Sequence, residues 1–175
     1  MRRLMLLRHA KTESESPSGR DQDRRLDERG RRDAADIGGW ISRHPPCPDI
    51  VLVSPAVRAQ QTWNLAAEAM QDHAPQPRSE TVADLYGADP AQLLQIVRMA
   101  SATDPTQLML VGHNPTLSEL VSLLVVGARM SPICELKKGG IAALSKGGRP
   151  PGLFELSWVA TPRLLRRLGG VRFDD

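Results

Sequence analysis

The stretch Leu4-Met5-Leu6-Leu7-Arg8-His9-Ala10-Lys11 decides how the rest of the chain is read. Four consecutive apolar residues predict a strand buried on both faces, the kind found in parallel sheets. The run stops at a guanidinium and an imidazole, with an ammonium two positions on. In open parallel α/β sheets, ligands bind beyond the carboxyl ends of the strands. Arg8 and His9 sit where such a fold places its chemistry. Alone they would describe no more than a basic loop after a strand, so the question is whether other strand ends supply partners.

Two do. Ile50-Val51-Leu52-Val53 runs directly into Ser54-Pro55, a serine cap followed by proline at the first helical position. The helix expected from Pro55 to about Met70 buries Ala59, Thr62, Ala66 and Ala69. It carries Arg58 in its first turn, the wrong end for a cation on dipole grounds unless an anion shares the free amides there. Leu108-Met109-Leu110-Val111 then leads into Gly112-His113-Asn114-Pro115. Asn114 is the expected cap and Pro115 the first residue of a helix through Leu117, Leu120, Val121 and Leu124. A lone histidine at such a place is more often a core or capping residue than a catalytic one. It gains weight only from the company it keeps.

The intervening segments fit an alternation of strands and helices. Thr12 to Asp23 reads as a mobile surface loop, and the mixed charges from Arg20 to Asp33 as a solvated face. Asp27 caps a helix to about Arg43 with Ala34, Ile37, Trp40 and Ile41 on one side, weakened by Gly38-Gly39. Ser79 to Ala83 is a short strand, followed by Asp84-Leu85-Tyr86. Asp89-Pro90-Ala91-Gln92 is a capping box for a helix carrying Leu93, Ile96, Val97 and Ala100. Ile141–Ser145 and Leu153–Val159 form a loose hairpin, and Thr161-Pro162 opens a short terminal helix. The pattern predicts a three-layer α/β/α sandwich with a mostly parallel central sheet and at least one antiparallel strand. No composition shift divides the chain, so residues 1–175 are read as one domain.

Composition narrows the function. At 175 residues, 41% apolar and 25% charged, the chain has the profile of a soluble globular domain. The net charge of +3 favours anionic partners only weakly, and 3% aromatics leave little for stacking single-stranded nucleic acid. Basic residues interleaved with acids also argue against nucleic acid. No stretch has the length of a membrane span or a secretory core, and Cys47 and Cys134 read as free thiols in a reducing compartment. The expectation is a cytoplasmic monomer.

Arg8-His9, Arg58 and His113 thus converge on one sheet edge as two arginines, two histidines and several helix-start amides. Such a group suits a dianionic phosphoryl moiety, because arginine's planar fork matches phosphate oxygens in pairs. No acidic cluster for Mg²⁺ and no GxxxxGK[ST] loop are present, so the expected chemistry uses nitrogen bases and cations, with no metal and no cofactor. A neutral imidazole is a competent nucleophile, and the neighbouring arginines are expected to hold its pKa below the usual 6.5 or so.

The pieces Leu7-Arg8-His9-Ala10, Ser54-Pro55-Ala56-Val57-Arg58-Ala59-Gln60-Gln61-Thr62 and Val111-Gly112-His113-Asn114-Pro115 resemble the histidine phosphatase, or phosphoglycerate mutase-like, superfamily. The small size, Arg25-Leu26-Asp27-Glu28-Arg29-Gly30, Asp84-Leu85-Tyr86 and the Gly-His-Asn-Pro form are most similar to its SixA-type phosphohistidine phosphatase branch. The resemblance implies that His9 is the phosphorylated nucleophile, with Arg8, Arg58 and His113 holding the phosphoryl oxygens and the Asn114 amide adding a donor. It implies a general acid at Asp84, with Glu80 as the rival. Ala10 stands where the family has glycine, and its methyl is expected to crowd the backbone. The implied substrate is phosphohistidine on a protein. The alternatives are a small phosphomonoester, or a non-catalytic phosphate-binding module.

Overall fold

Strand β1 (Arg3–Arg8) is central because its two faces are both greasy. Leu4 and Leu6 point into one core and Met5 and Leu7 into the other, and all four are buried. The computed structural model describes residues 1–44, 46–70, 75–127, 131–147 and 153–168. Within them β1 joins β2 (Ile50–Val53), β3 (Arg78–Thr81), β4 (Gln107–Gly112), β5 (Ile141–Lys146) and β6 (Phe154–Ala160) in one sheet. The order is β3-β2-β4-β1-β5-β6. The first four strands of the chain run parallel. β5 lies antiparallel to β1, and β6 antiparallel to β5 with a register shift at Ala143/Leu144. The expected α/β class with a mixed sheet is therefore observed, with the irregularity in the terminal hairpin.

Helices cover both faces. α1 (Glu28–Arg43), α2 (Val57–Met70) and α5 (Pro162–Arg167) close the Met5/Leu7 side around Ile37, Trp40, Ile41, Trp63 and Leu165. α3 (Pro90–Ser101) and α4 (Thr116–Val126) cover the other with Leu93, Val97, Leu117 and Leu120. Asp27 and Asp89 cap α1 and α3 as their sequences predict, the latter with a complete capping box. Gly38 has a packing reason: a Cβ there would fall 2.0 Å from the Ala66 carbonyl oxygen, so α1 and α2 touch backbone to backbone.

Two helix starts lie later in the chain than expected. α2 begins at Val57, after a turn through Ser54-Pro55-Ala56, and the Ser54 hydroxyl turns to His113. α4 begins at Thr116, and the Asn114 amide donates to the Leu136 carbonyl (2.9 Å) instead of capping. On α2, Trp63 and Met70 are buried along with Ala59, Thr62 and Ala66, whereas Ala69 is only half-buried. Expectations for residues 71–74, 128–130, 148–152 and 169–175 lie outside the described residues.

Register delivers the site. Val53 pairs with Val111 and Arg8 with Gly112, so β1, β2 and β4 end level with one another. His9, Ser54 and His113 follow immediately.

Candidate active site

His9 leaves β1 with its backbone still pinned: its amide donates to the Gly112 carbonyl (3.0 Å), and its carbonyl accepts from Gly139 (3.0 Å). The ring is buried, 7% exposed. Nδ1 lies 2.8 Å from the Ala10 carbonyl oxygen. A carbonyl only accepts, so Nδ1 carries the proton and Nε2 keeps its lone pair. Burial pushes the His9 pKa down to about 3, with smaller contributions from His113, Arg58 and Arg8. The direction matches expectation, but desolvation outweighs the arginines. His9 is thus a neutral base with its free nitrogen fixed in orientation, which is what attack on phosphorus requires.

The local sequence explains why it stays there. The Ala10 amide donates to Thr62 Oγ1 (3.0 Å), and that hydroxyl donates to the Arg58 carbonyl (2.6 Å). The first motif is thereby bolted to the first turns of α2. The Ala10 methyl packs with Leu26 and Ala34 in a small cluster of its own. Below it, Asp27 caps α1 and pairs with Lys11 (3.0 Å). Gly30 lets α1 press against the Lys11 carbonyl, where a Cβ would come within 2.0 Å.

The two arginines are held by different means. Arg8 Nη1 donates to the Leu136 carbonyl (2.8 Å), the same oxygen that accepts from Asn114. Its buried Nε has no hydrogen-bond partner among the described residues. Arg58 is 7% exposed and donates through Nη1 to the Asp21 carbonyl (2.6 Å) and through Nη2 to Asp21 Oδ2 (2.8 Å). The Tyr86 hydroxyl donates to the same carboxylate oxygen (3.2 Å), and the Arg58 guanidinium lies 5.9 Å from the Tyr86 ring centroid. His113 completes the group, its ring 5.2 Å from His9 and edge-on to Tyr86 at 5.5 Å. Burial, followed by Arg58, lowers its pKa to about 4.

The structure therefore brings Arg8, His9, Arg58, His113 and Asn114 together. Asp84 is exposed, in a 3-10 turn at Ala83–Leu85, beside a cavity that also includes Tyr86 and Gln92. Glu80 is exposed on β3, 4.0 Å from Arg78. Two residues escaped the sequence reading. Asp21 was hidden in a run of alternating charges, and the loop Thr12 to Asp23, expected to be mobile, returns through a 3-10 turn at Asp21–Asp23 to touch Arg58. Tyr86, the chain's single tyrosine, carries no local signal in the sequence for its contacts with Asp21, Arg58 and His113. A cavity of about 340 Å³ is lined by Arg58, His113, Tyr86, Leu85, Leu93 and Pro115.

A buried neutral histidine near two arginines, at the carboxyl end of a parallel sheet, is suited to phosphoryl transfer. Comparison with known proteins agrees. The model of the histidine phosphatase superfamily (branch 1) matches residues 4–85. An uncharacterised Mycobacterium tuberculosis protein is 36% identical over 170 residues, spanning 90% of this chain and all of the relative. A structure described as a candidate phosphohistidine phosphatase SixA from Agrobacterium tumefaciens is 27% identical with a TM-score of 0.72, covering 92% of this chain and 99% of that one. A mycobacterial glucosyl-3-phosphoglycerate phosphatase shares the fold at 18% identity and a TM-score of 0.66, over 89% and 97% of the two chains. The chain belongs to the histidine phosphatase superfamily, in its SixA-type branch. That membership supports phosphatase activity. No described helix is long and apolar enough to cross a membrane.

Proposed function

We propose that this protein removes phosphate from phosphohistidine on a partner protein through a covalent phospho-His9 intermediate. The observation that carries the reading is the fixed tautomer of His9, whose Nδ1–H is tied to the Ala10 carbonyl and whose Nε2 is left free beside His113 and Arg58. In the first step His9 Nε2 bonds to phosphorus as the P–N bond to the leaving imidazole breaks. Water then attacks phosphorus and releases His9. Arg8, Arg58, His113 and the Asn114 amide hold the oxygens through both steps, and their charges and dipoles are in place before the transition state forms.

Phosphohistidine is favoured over alkyl phosphates by the acid problem. The substrate imidazole leaves easily once protonated, whereas an alkoxide needs a well-placed acid. Asp84, on an exposed turn in the adjoining cavity, is the acid we assign, assisting phosphohistidine adequately and alkyl esters poorly. Only residues 71–83 separate the second helix from Asp84, which leaves little chain to roof the pocket against a protein substrate. The second reading, a small phosphomonoester, draws on the cavity beside Arg58 with its apolar wall of Leu85 and Leu93.

The test is a competition between a phosphohistidine-bearing phosphocarrier protein and a small alkyl phosphate. A much larger kcat/KM for the phosphocarrier is expected. Equal or reversed values would move the substrate to the small phosphomonoesters.

A further inference from the structure

His113 already uses one ring nitrogen inside the protein: Nε2 lies 2.8 Å from the Ser54 hydroxyl. The other, Nδ1, is buried and has no hydrogen-bond partner among the described residues. His113 is also held neutral near physiological pH, mainly by burial and then by Arg58. A neutral imidazole has a single N–H, so only one of its nitrogens can donate. Phosphoryl oxygens offer only lone pairs. Whether His113 can hold one depends on which nitrogen keeps the proton.

Hydrogen accounting around Ser54 decides this. The side chain is fully buried, 0% exposed. Its Oγ has two polar neighbours among the described residues, the Ala56 amide at 3.4 Å and His113 Nε2 at 2.8 Å. The amide can only donate, so Oγ accepts there. The hydroxyl proton then has one acceptor in reach, the lone pair of Nε2. In the reverse arrangement Nε2–H would donate to Oγ, and a buried serine proton would be left with no acceptor, which folded proteins avoid.

We propose that Ser54 is a positioning residue whose O–H···Nε2 bond fixes His113 as its Nδ1–H tautomer, leaving Nδ1–H as the donor for a phosphoryl oxygen. The inference rests on the phosphatase reading of the site and adds to it a residue that makes no contact with the phosphoryl group. His9 and His113 then form a complementary pair. The Ala10 carbonyl draws the His9 proton to Nδ1 and frees Nε2 as nucleophile. The Ser54 hydroxyl draws the His113 lone pair to Nε2 and frees Nδ1–H as donor. The two rings are 5.2 Å apart, so a group carried by His9 sits beside the His113 ring.

The first test needs no variant and no turnover. In ¹⁵N NMR of the unliganded wild-type protein near neutral pH, His113 Nδ1 should resonate as a protonated nitrogen and Nε2 as a bare one. A protonated Nε2 overturns the proposal. On titration with inorganic phosphate the Nδ1–H signal should move downfield, and an unmoved signal while phosphate binds also overturns it. Ser54→Ala should shift His113 toward the Nε2–H form and lower kcat on phosphohistidine by about 10- to 100-fold, with little change in KM or melting temperature. Ser54→Thr keeps the hydroxyl and should recover both the tautomer and most of kcat. An alanine variant with wild-type kcat and an unchanged tautomer counts against the assignment. If the wild-type protein hydrolyses no phosphorylated substrate, the phosphatase reading fails separately, and the ring signals still decide the tautomer.

Discussion

Arg58 commits both terminal nitrogens to Asp21, one to its carbonyl at 2.6 Å and one to its carboxylate at 2.8 Å. The two residues are far apart in sequence, one in a charged loop and one in the first turn of α2. Their pairing gives the guanidinium a single orientation in a buried site. It also makes Asp21, itself held below the usual carboxylate range by Arg24, Arg58 and Tyr86, a component of the site's electrostatics.

Asp21→Ala should therefore loosen Arg58 without removing it. A hydrogen bond to a charged group contributes about 1.5–3 kcal/mol, and the half-exposed Asp21 carboxylate belongs at or below the lower end, roughly a tenfold loss in kcat/KM. Asp21→Asn, which keeps an oxygen for Arg58, should lose less. Steady-state kinetics of both variants check this, and faster turnover would make Asp21 a competitor for the phosphoryl site instead.

His9→Ala should abolish turnover along with an acid-labile, alkali-stable phosphoenzyme seen after brief exposure to labelled substrate. Activity of the wild type should survive EDTA. Full loss on chelation would point to a metal centre that this mechanism does not contain.

The two site histidines set a pH signature. Both have folded pKa values below the unfolded 6.5, at about 3 for His9 and about 4 for His113. The unfolded chain therefore binds more protons than the folded one between about pH 4 and 6.5, and stability rises with pH across that window. On acidification from pH 6.5 to 5, each histidine should cost at most about 2 kcal/mol, read as a falling denaturation midpoint. His9→Gln should flatten part of the slope. Between pH 7 and 5, the kcat/KM profile corrected for substrate ionisation should show no acid limb from His9.

Asp84→Asn should slow hydrolysis of alkyl phosphates far more than that of phosphohistidine or an activated aryl phosphate. Protonating a poor leaving group is where general acids contribute, about 10²–10⁴-fold. If Asp84→Asn leaves all three rates alone while Glu80→Gln lowers them, the acid belongs to Glu80.

Gly38→Ala should destabilise the fold by about 1–3 kcal/mol, or more, through the clash with Ala66 on α2. Gly39 faces only the Arg43 guanidinium, at 3.3 Å, so its alanine variant should be far milder. Comparing the two by thermal denaturation separates packing from helix propensity.

Much of the site was legible because strands carry their chemistry at their ends. The apolar runs at Leu4–Leu7, Ile50–Val53 and Leu108–Val111 mark buried parallel strands, and Arg8, His9, Arg58 and His113 follow them closely. Cap and proline signals placed α1 and α3 correctly, and the Asp27 and Asp89 carboxylates accept from their own helix amides. The same signals misplaced the starts of α2 and α4, where the Ser54 and Asn114 side chains also bond to His113 and Leu136 on other segments. Local pattern reports what a side chain can do for its own backbone. It carries no record of a competitor from another strand.

The sequence by itself determined the layer architecture and the four nitrogen-bearing side chains of the centre, since periodicity and strand-end position are local properties. Which nitrogen of each histidine is free and what orients Arg58 become readable only in the assembled fold. The Arg58 orientation and the His113 tautomer follow from hydrogen bonds between segments tens of residues apart, between Arg58 and Asp21 and between Ser54 and His113. Such bonds depend on the register that brings β1, β2 and β4 to a common edge, and register is a property of the assembled sheet.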